Sequence, residues 1–421
     1  MKPNLFAAFR SGNYRLYFFG QSLSLIGTWM QRTAVYWMVY DLTKSAFILG
    51  ITVFCGQFPS FLLSILGGVV SDRYNRFRVL LTTQIASLLQ AAVLTSLVFS
   101  NHYQVWHILA LSVVLGCINA FDVPARQALV YDMIDNKEYL PNAIALNSSM
   151  VNGARLIGPA LSGIVLEKFG AQVCFLSNGV SFLAVIVSLL FMKLPPFIKK
   201  ERVTSVVHDL KEGFHYLKST PSISKVMLML ACMSFIALPY VTLLPIYARD
   251  IFAGTASTFG LLNSFVGMGA VGGALFLASM KPGVNLKKVL FRCTLAFAVG
   301  LMAFAYMKSF PIALIIIAVT GFGMMAQTTI SNTIIQTTVA PTMRGRVISY
   351  YAMAFFGMQP IGGLVVGAIA HAFGAPVTIL CQGIATLLIA IVFFPFLRRD
   401  ILLRKQRMKM QQVEETIVES T

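Results

Sequence analysis

Charge is what this chain has least of. Only 11% of its 421 residues are Asp, Glu, Lys or Arg, 57% are apolar, and the mean hydropathy is +0.76. A soluble domain carries about 25% charged residues, so water cannot be the main solvent of this one. Acid is scarcest, 15 Asp and Glu against 33 Lys and Arg. Cysteine is thin as well: six residues (55, 117, 174, 232, 293, 381), with no CxxC and no histidine at ligand spacing beside them. That pattern predicts no disulfide framework, metal site or cofactor. No nucleophile falls beside a base and an orienting group, so the expected class is not an enzyme.

Long apolar runs are there instead. They lie near 16–40, 46–70, 79–99, 104–123, 145–167, 172–192, 226–248, 256–279, 289–307, 311–331, 348–371 and 376–396. Each suits the ~20 residues that cross a bilayer as a helix. The first run is too long for a signal-peptide core and is expected to stay as a helix. The pattern predicts an all-α membrane protein of twelve transmembrane helices. With both termini cytoplasmic, 27 of the 33 Lys and Arg fall on the inner side. The net charge of +18 is therefore topological. It favours anionic membrane lipid rather than nucleic acid.

One long polar stretch, 193–225, divides the runs six and six, and 209–219 within it reads as an amphipathic helix for the membrane surface. The expected units are an N-terminal bundle (1–192), this linker, a C-terminal bundle (226–397) and a cytoplasmic tail (398–421), with EETIVEST at 414–421 read as disordered. The halves carry a faint repeat. A shift of 204 places Gly163, Phe169, Gly170, Ala171 and Gly179 on Gly367, Phe373, Gly374, Ala375 and Gly383. A shift of 210 places Ser24, Gly50, Val79 and Leu80 on Ser234, Gly260, Val289 and Leu290. Two pseudo-symmetric six-helix bundles are the plan of many secondary transporters.

After the second run comes Gly68-Val-Val-Ser-Asp72-Arg73-Tyr-Asn75-Arg76-Phe77-Arg78. This resembles the signature of the major facilitator superfamily, with Asn75 and Phe77 departing from the usual Gly and basic residue. The resemblance implies a cytoplasmic latch between the halves, in which Gly68 permits close helix approach and Asp72 meets the start of the eleventh span. Arg73, Arg76, Arg126, Arg344 and Arg346 would complete it. Three longer stretches, 9–31, 122–163 and 344–367, resemble the drug and siderophore exporters of that superfamily, including the sequences described as transmembrane secretion effectors. The resemblance implies export of an amphiphilic solute across the inner membrane by a protein working as a monomer, with protons as the counter-ion. Multidrug or macrolide efflux and lysophospholipid flipping are the alternatives.

The fifth span holds Gly158-Pro159-Ala-Leu-Ser-Gly163, which is similar to the Gly-Pro motif of such exporters. Just before it stands Arg155, on one helical face with Ser148, Asn152, Pro159 and Ser162. The first span presents Thr28, Arg32 and Tyr36 on one face, with Gln31 beside it. Ionisable residues inside a membrane point to function. Each arginine also has a structural reading: Arg155 against carbonyls or Asp122, and Arg32 against Asp41. Gln57, Asn119, Asn263, Gln327 and Gln359 are expected to line the same cavity, and Gln359 is the 204-residue counterpart of Arg155. Two arginines without an acid at mid-depth predict an anionic solute. Asp122 is the candidate proton carrier, or an ion-pair partner of Arg126 or Arg73. Asp41 and Glu167 are expected to be solvated at the outer boundary.

Overall fold

The computed structural model describes residues 6–194, 206–281 and 283–396. The rest of the expected linker (195–205), the C-terminal tail and its acidic end at 414–421 lie outside the described residues. Every regular element among the described residues is helical. In chain order they are α1 Gly12–Thr43, α2 Ala46–Arg73, α3 Arg76–Phe99, α4 Val105–Met133, α5 Leu140–Phe169 and α6 Ala171–Leu190. There follow α7 Val206–Ser219, α8 Pro221–Ile251, α9 Ala256–Ala278, α10 Leu286–Ala305, α11 Phe310–Thr338, α12 Pro341–Phe373 and α13 Ala375–Phe396. Eleven of these are long and apolar enough to cross a membrane. α1, at 32 residues, is not among the eleven. Gln21, Ser22, Ser24, Thr28, Gln31 and Arg32 dilute its apolar character.

Local chemistry sets the ends of these helices. Asn75, one of the two residues that depart from the loop signature, caps α3 by accepting from the Phe77 and Arg78 amides at 3.0 and 3.3 Å. Gly170 and Gly374, 204 positions apart, are one-residue links from α5 to α6 and from α12 to α13. Their φ values of +82° and +86° are those glycine adopts without strain. α8 is irregular past Ile236, passing through a 3-10 stretch at Leu238–Leu243 and a π turn at Tyr247–Ile251. Pro239 and Pro245 remove two amide donors there. α12 has a similar π turn at Met353–Gly357.

α1 packs on α5 and α6, α2 on α4, and α3 on α4 and α6. Past the linker, α9 and α10 pack on α11, and α8 on α12. Two large contacts join helices before the linker to helices after it, α5 with α9 and α2 with α12. In the first, a Cβ added at Gly163 would lie 2.9 Å from the Ala256 carbonyl oxygen and 3.2 Å from the Gly260 Cα. In the second, one added at Gly367 would lie 2.7 Å from the Ala46 oxygen and 2.9 Å from the Gly50 Cα. Gly163 and Gly367 are 204 apart, Gly260 and Gly50 are 210 apart, and these are the offsets of the sequence repeat. The same contact is thus made twice.

Side chains reinforce this end of the molecule, hereafter the Lys44 face. The buried Tyr40 hydroxyl donates to the Asp250 carboxylate, Asp41 pairs with Arg249 at 3.2 Å, and Thr255 donates to Glu167 at 2.9 Å. Asp41 and Glu167 are exposed, as expected, yet both are spent on holding α8 and α9. At the opposite face, α7 clasps the start of α12. Glu212 pairs with Arg346 at 3.0 Å, the Tyr350 hydroxyl donates to the Leu210 carbonyl at 2.9 Å, and the Ala340 amide donates to the Tyr216 hydroxyl at 3.1 Å.

Candidate transport site

Arg32 of α1 and Arg155 of α5 meet at one aromatic ring. The Arg32 guanidinium lies 5.2 Å from the Trp29 ring centre and 5.6 Å from that of Tyr36, and its Nε donates to the Tyr36 hydroxyl at 3.0 Å. Arg155 reaches the same Trp29 ring at 5.4 Å. Glycine brings the two helices together: a Cβ at Gly158 would lie 2.5 Å from the Trp29 Cβ and 3.1 Å from the Ile26 carbonyl. One turn on, Ser162 donates to the Met30 carbonyl at 3.0 Å. Pro159 has no amide proton, so the Arg155 carbonyl four residues earlier loses its helical donor. That carbonyl lies against Gly267 of α9.

Arg155 has Arg32 and Tyr240 as its electrostatic neighbours. Its Nε and the Tyr240 hydroxyl are both enclosed without a hydrogen-bond partner among the described residues. Tyr240 sits in the irregular part of α8 and was not among the expected residues; the flanking Pro239 and Pro245 were its one signal in the sequence. Neither of the acids considered as partners reaches the pair. Asp122 is buried between Thr83 (3.0 Å), Gln84 (2.7 Å) and Arg126 (3.2 Å), and Asp41 holds Lys44 and Arg249. Among the described residues no carboxylate pairs with Arg32 or Arg155. Cation–π attraction of about 0.5–2 kcal/mol per guanidinium holds the pair to the ring, and the site keeps its excess positive charge.

Other expected residues are placed differently. Gln31 is buried, donating to Gln90 at 3.1 Å and accepting from Asn178 at 2.8 Å, which locks α1 to α3 and α6. Asn152 donates to the Ser148 carbonyl and Asn263 to the Phe259 carbonyl, each on its own helix. Gln57 Nε2 and both amide atoms of Gln327 are enclosed without a partner among the described residues, while Asn119 and Gln359 are half-buried.

At the latch, the close helix approach belongs to Gly67 rather than Gly68. A Cβ at Gly67 would overlap the Ala120 backbone of α4, whereas one at Gly68 would meet nothing within 4 Å. Successive residues of a helix point about 100° apart, so only one of the two can face α4. Asp72, Arg73 and Arg344 are exposed. Arg76 pairs with Asp132 at 3.0 Å, and Arg346 with Glu212; neither acid stood out in the sequence.

A family model described as transmembrane secretion effector matches residues 4–419. The chain belongs to that family. It is therefore a secretion transporter of the major facilitator type, a multi-pass membrane protein that moves small molecules, and not an enzyme. Among its family relatives is the staphyloferrin A transporter of Staphylococcus aureus, 28% identical over 92% of this chain and 97% of that protein. The multidrug efflux pump Tap of Mycolicibacterium fortuitum is 22% identical over 86% and 90%. Macrolide efflux protein A of Streptococcus pyogenes is 21% identical over 90% and 96%. In fold, this secretion effector resembles the nucleoside transporter NupG (TM-score 0.71, 12% identity, 91% and 98% covered). It also resembles an inward-facing bacterial homologue of the lysosomal transporter Spinster (TM-score 0.68, 15% identity, 96% and 98% covered).

Proposed function

We propose that this secretion effector exports a small anionic amphiphile, siderophore-like in chemistry, across the inner membrane. It does so as a monomer of twelve transmembrane helices in two six-helix bundles that rock about the site. The observation that carries the reading is the Arg32–Trp29–Arg155 stack with no carboxylate against either guanidinium among the described residues. An uncompensated arginine at mid-membrane costs about 2.5 kcal/mol or more, so an anion between the two is strongly favoured. The Trp29 and Tyr36 rings suit the apolar part of such a solute.

The basic Asp72 face is the cytoplasmic one by charge, with both termini on that side. The links at Tyr40, Asp41 and Glu167 then close the outward face. Proton antiport is assigned to Asp122, whose buried carboxylate binds Arg126, Thr83 and Gln84 and whose protonation would loosen all three contacts. A neutral macrolide is the second reading, favoured by the relatives named for macrolide and multidrug efflux.

The test is transport in proteoliposomes with staphyloferrin A as the first probe and a macrolide as the neutral comparison. Arg155→Ala and Arg32→Ala are expected to slow the anionic probe tenfold or more and leave the macrolide unchanged. Equal anion transport by both variants would sink the anion site. Transport that persists without a pH gradient or membrane potential would remove proton coupling.

A further inference from the structure

Among the described residues, the three largest fully buried side chains are tyrosines: Tyr14, Tyr240 and Tyr247. A buried hydroxyl without a partner is costly, so it is normally spent on an acceptor. Tyr14 donates to the Ala143 carbonyl at 2.9 Å, and Tyr247 to the Ala305 carbonyl at 2.6 Å. Tyr240 departs from this pattern. Its hydroxyl has no partner among the described residues, although the ring is held edge-on to Phe297 of α10 at 5.9 Å.

A second orphan lies beside it. Arg155 is an electrostatic neighbour of Tyr240, and its Nε also lacks a partner. The phenol oxygen could accept from Nε, yet the two do not bond to each other. What both groups call for is an acceptor, and one atom can serve both. A carboxylate oxygen has two lone pairs for two donors, and its charge suits the guanidinium. The two donors come from opposite sides of the linker, Arg155 from α5 and Tyr240 from the 3-10 stretch Leu238–Leu243 of α8.

We infer that Tyr240 is a solute-binding residue, its hydroxyl donating to the same carboxylate oxygen as Arg155 Nε. The inference rests on the anionic reading above and narrows it to solutes that carry a carboxylate. Bound there, the carboxylate joins α5 to α8.

Equilibrium dialysis of radiolabelled staphyloferrin A against the full chain in neutral-lipid nanodiscs tests this. Tyr240→Phe keeps the ring on Phe297 and removes only the hydroxyl. It is expected to bind the probe about tenfold more weakly, as for a lost hydrogen bond to a charged group, with a melting temperature unchanged or raised in the absence of probe. Arg155→Ala is expected to bind at least about tenfold more weakly, and adding Tyr240→Phe to it to cost no more than about threefold further, since the shared contact is already broken. Wild-type affinity in Tyr240→Phe beside a loss in Arg155→Ala overturns the inference and spares the anionic reading. A lowered melting temperature with wild-type affinity assigns the hydroxyl to a structural water instead. Losses that multiply in the double variant, or a loss in Tyr240→Phe alone, rule out a shared oxygen. No saturable binding by the wild type overturns the inference and the anionic reading together.

Discussion

Replacing Gly163 by Ala should pry the Lys44 face apart, and replacing Gly367 by Ala should do the same to the same degree. The added methyl at Gly163 would stand 2.9 Å from both the Ala256 carbonyl oxygen and the Ser257 Cα; at Gly367 it would stand 2.7 Å from the Ala46 oxygen. All of these are backbone atoms that cannot swing aside. Overpacking of this kind costs about 1–3 kcal/mol, paid only where α5 meets α9 and α2 meets α12. The ratio of parted to closed molecules should rise roughly 5- to 150-fold in each variant. The two sites share no neighbour among the close contacts, so the double variant should show the sum of the two free energies. Distances between spin labels at the 101 and 308 connections, in nanodiscs, read the populations. Gly153→Ala is the control, on α5 with nothing within 4 Å of the added carbon. Unchanged populations in both variants, or an effect in only one, would refute the reasoning, since the contact is the same one made twice.

Arg155→Lys keeps the charge and loses the flat guanidinium over Trp29, so transport of an anionic probe should fall between wild type and Arg155→Ala, chiefly as a raised KM. Gly67→Ala should cost about 1–3 kcal/mol by forcing α2 from Ala120, seen as a lower melting temperature, while Gly68→Ala should be neutral or slightly stabilising. Glu212→Gln removes a half-exposed ion pair with Arg346. It should cost no more than about 1 kcal/mol, read as up to fivefold faster amide exchange in α7 with the rest of the protein unaffected.

Helix positions were legible because a bilayer demands one length and one composition, and the faint repeat was legible because glycines at crossing points tolerate no substitute. Arg32 and Arg155 were visible as charges in apolar runs. That both lean on Trp29 was not, because aromatic residues are too common here for any one to stand out. Tyr240 was hidden for a related reason: the periodic reading assumed a regular seventh span, and Pro239 and Pro245 break that register. That Gln31 ties α1 to α3 and α6 was not legible, since its polarity is visible but its partners, Gln90 and Asn178, lie 59 and 147 positions away. The Gly67–Gly68 choice turned on one 100° step, finer than a motif match resolves.

Tyr40 and Asp250 are 210 residues apart, the offset that superimposes the first spans of the two halves. The same offset relates Gly50 to Gly260, so this bond joins like-numbered positions of the sequence repeat. One partner is a hydroxyl and the other a carboxylate, so the two positions are not interchangeable. Tyr40→Asp would set two carboxylates against each other, and that repulsion would part the Lys44 face from within.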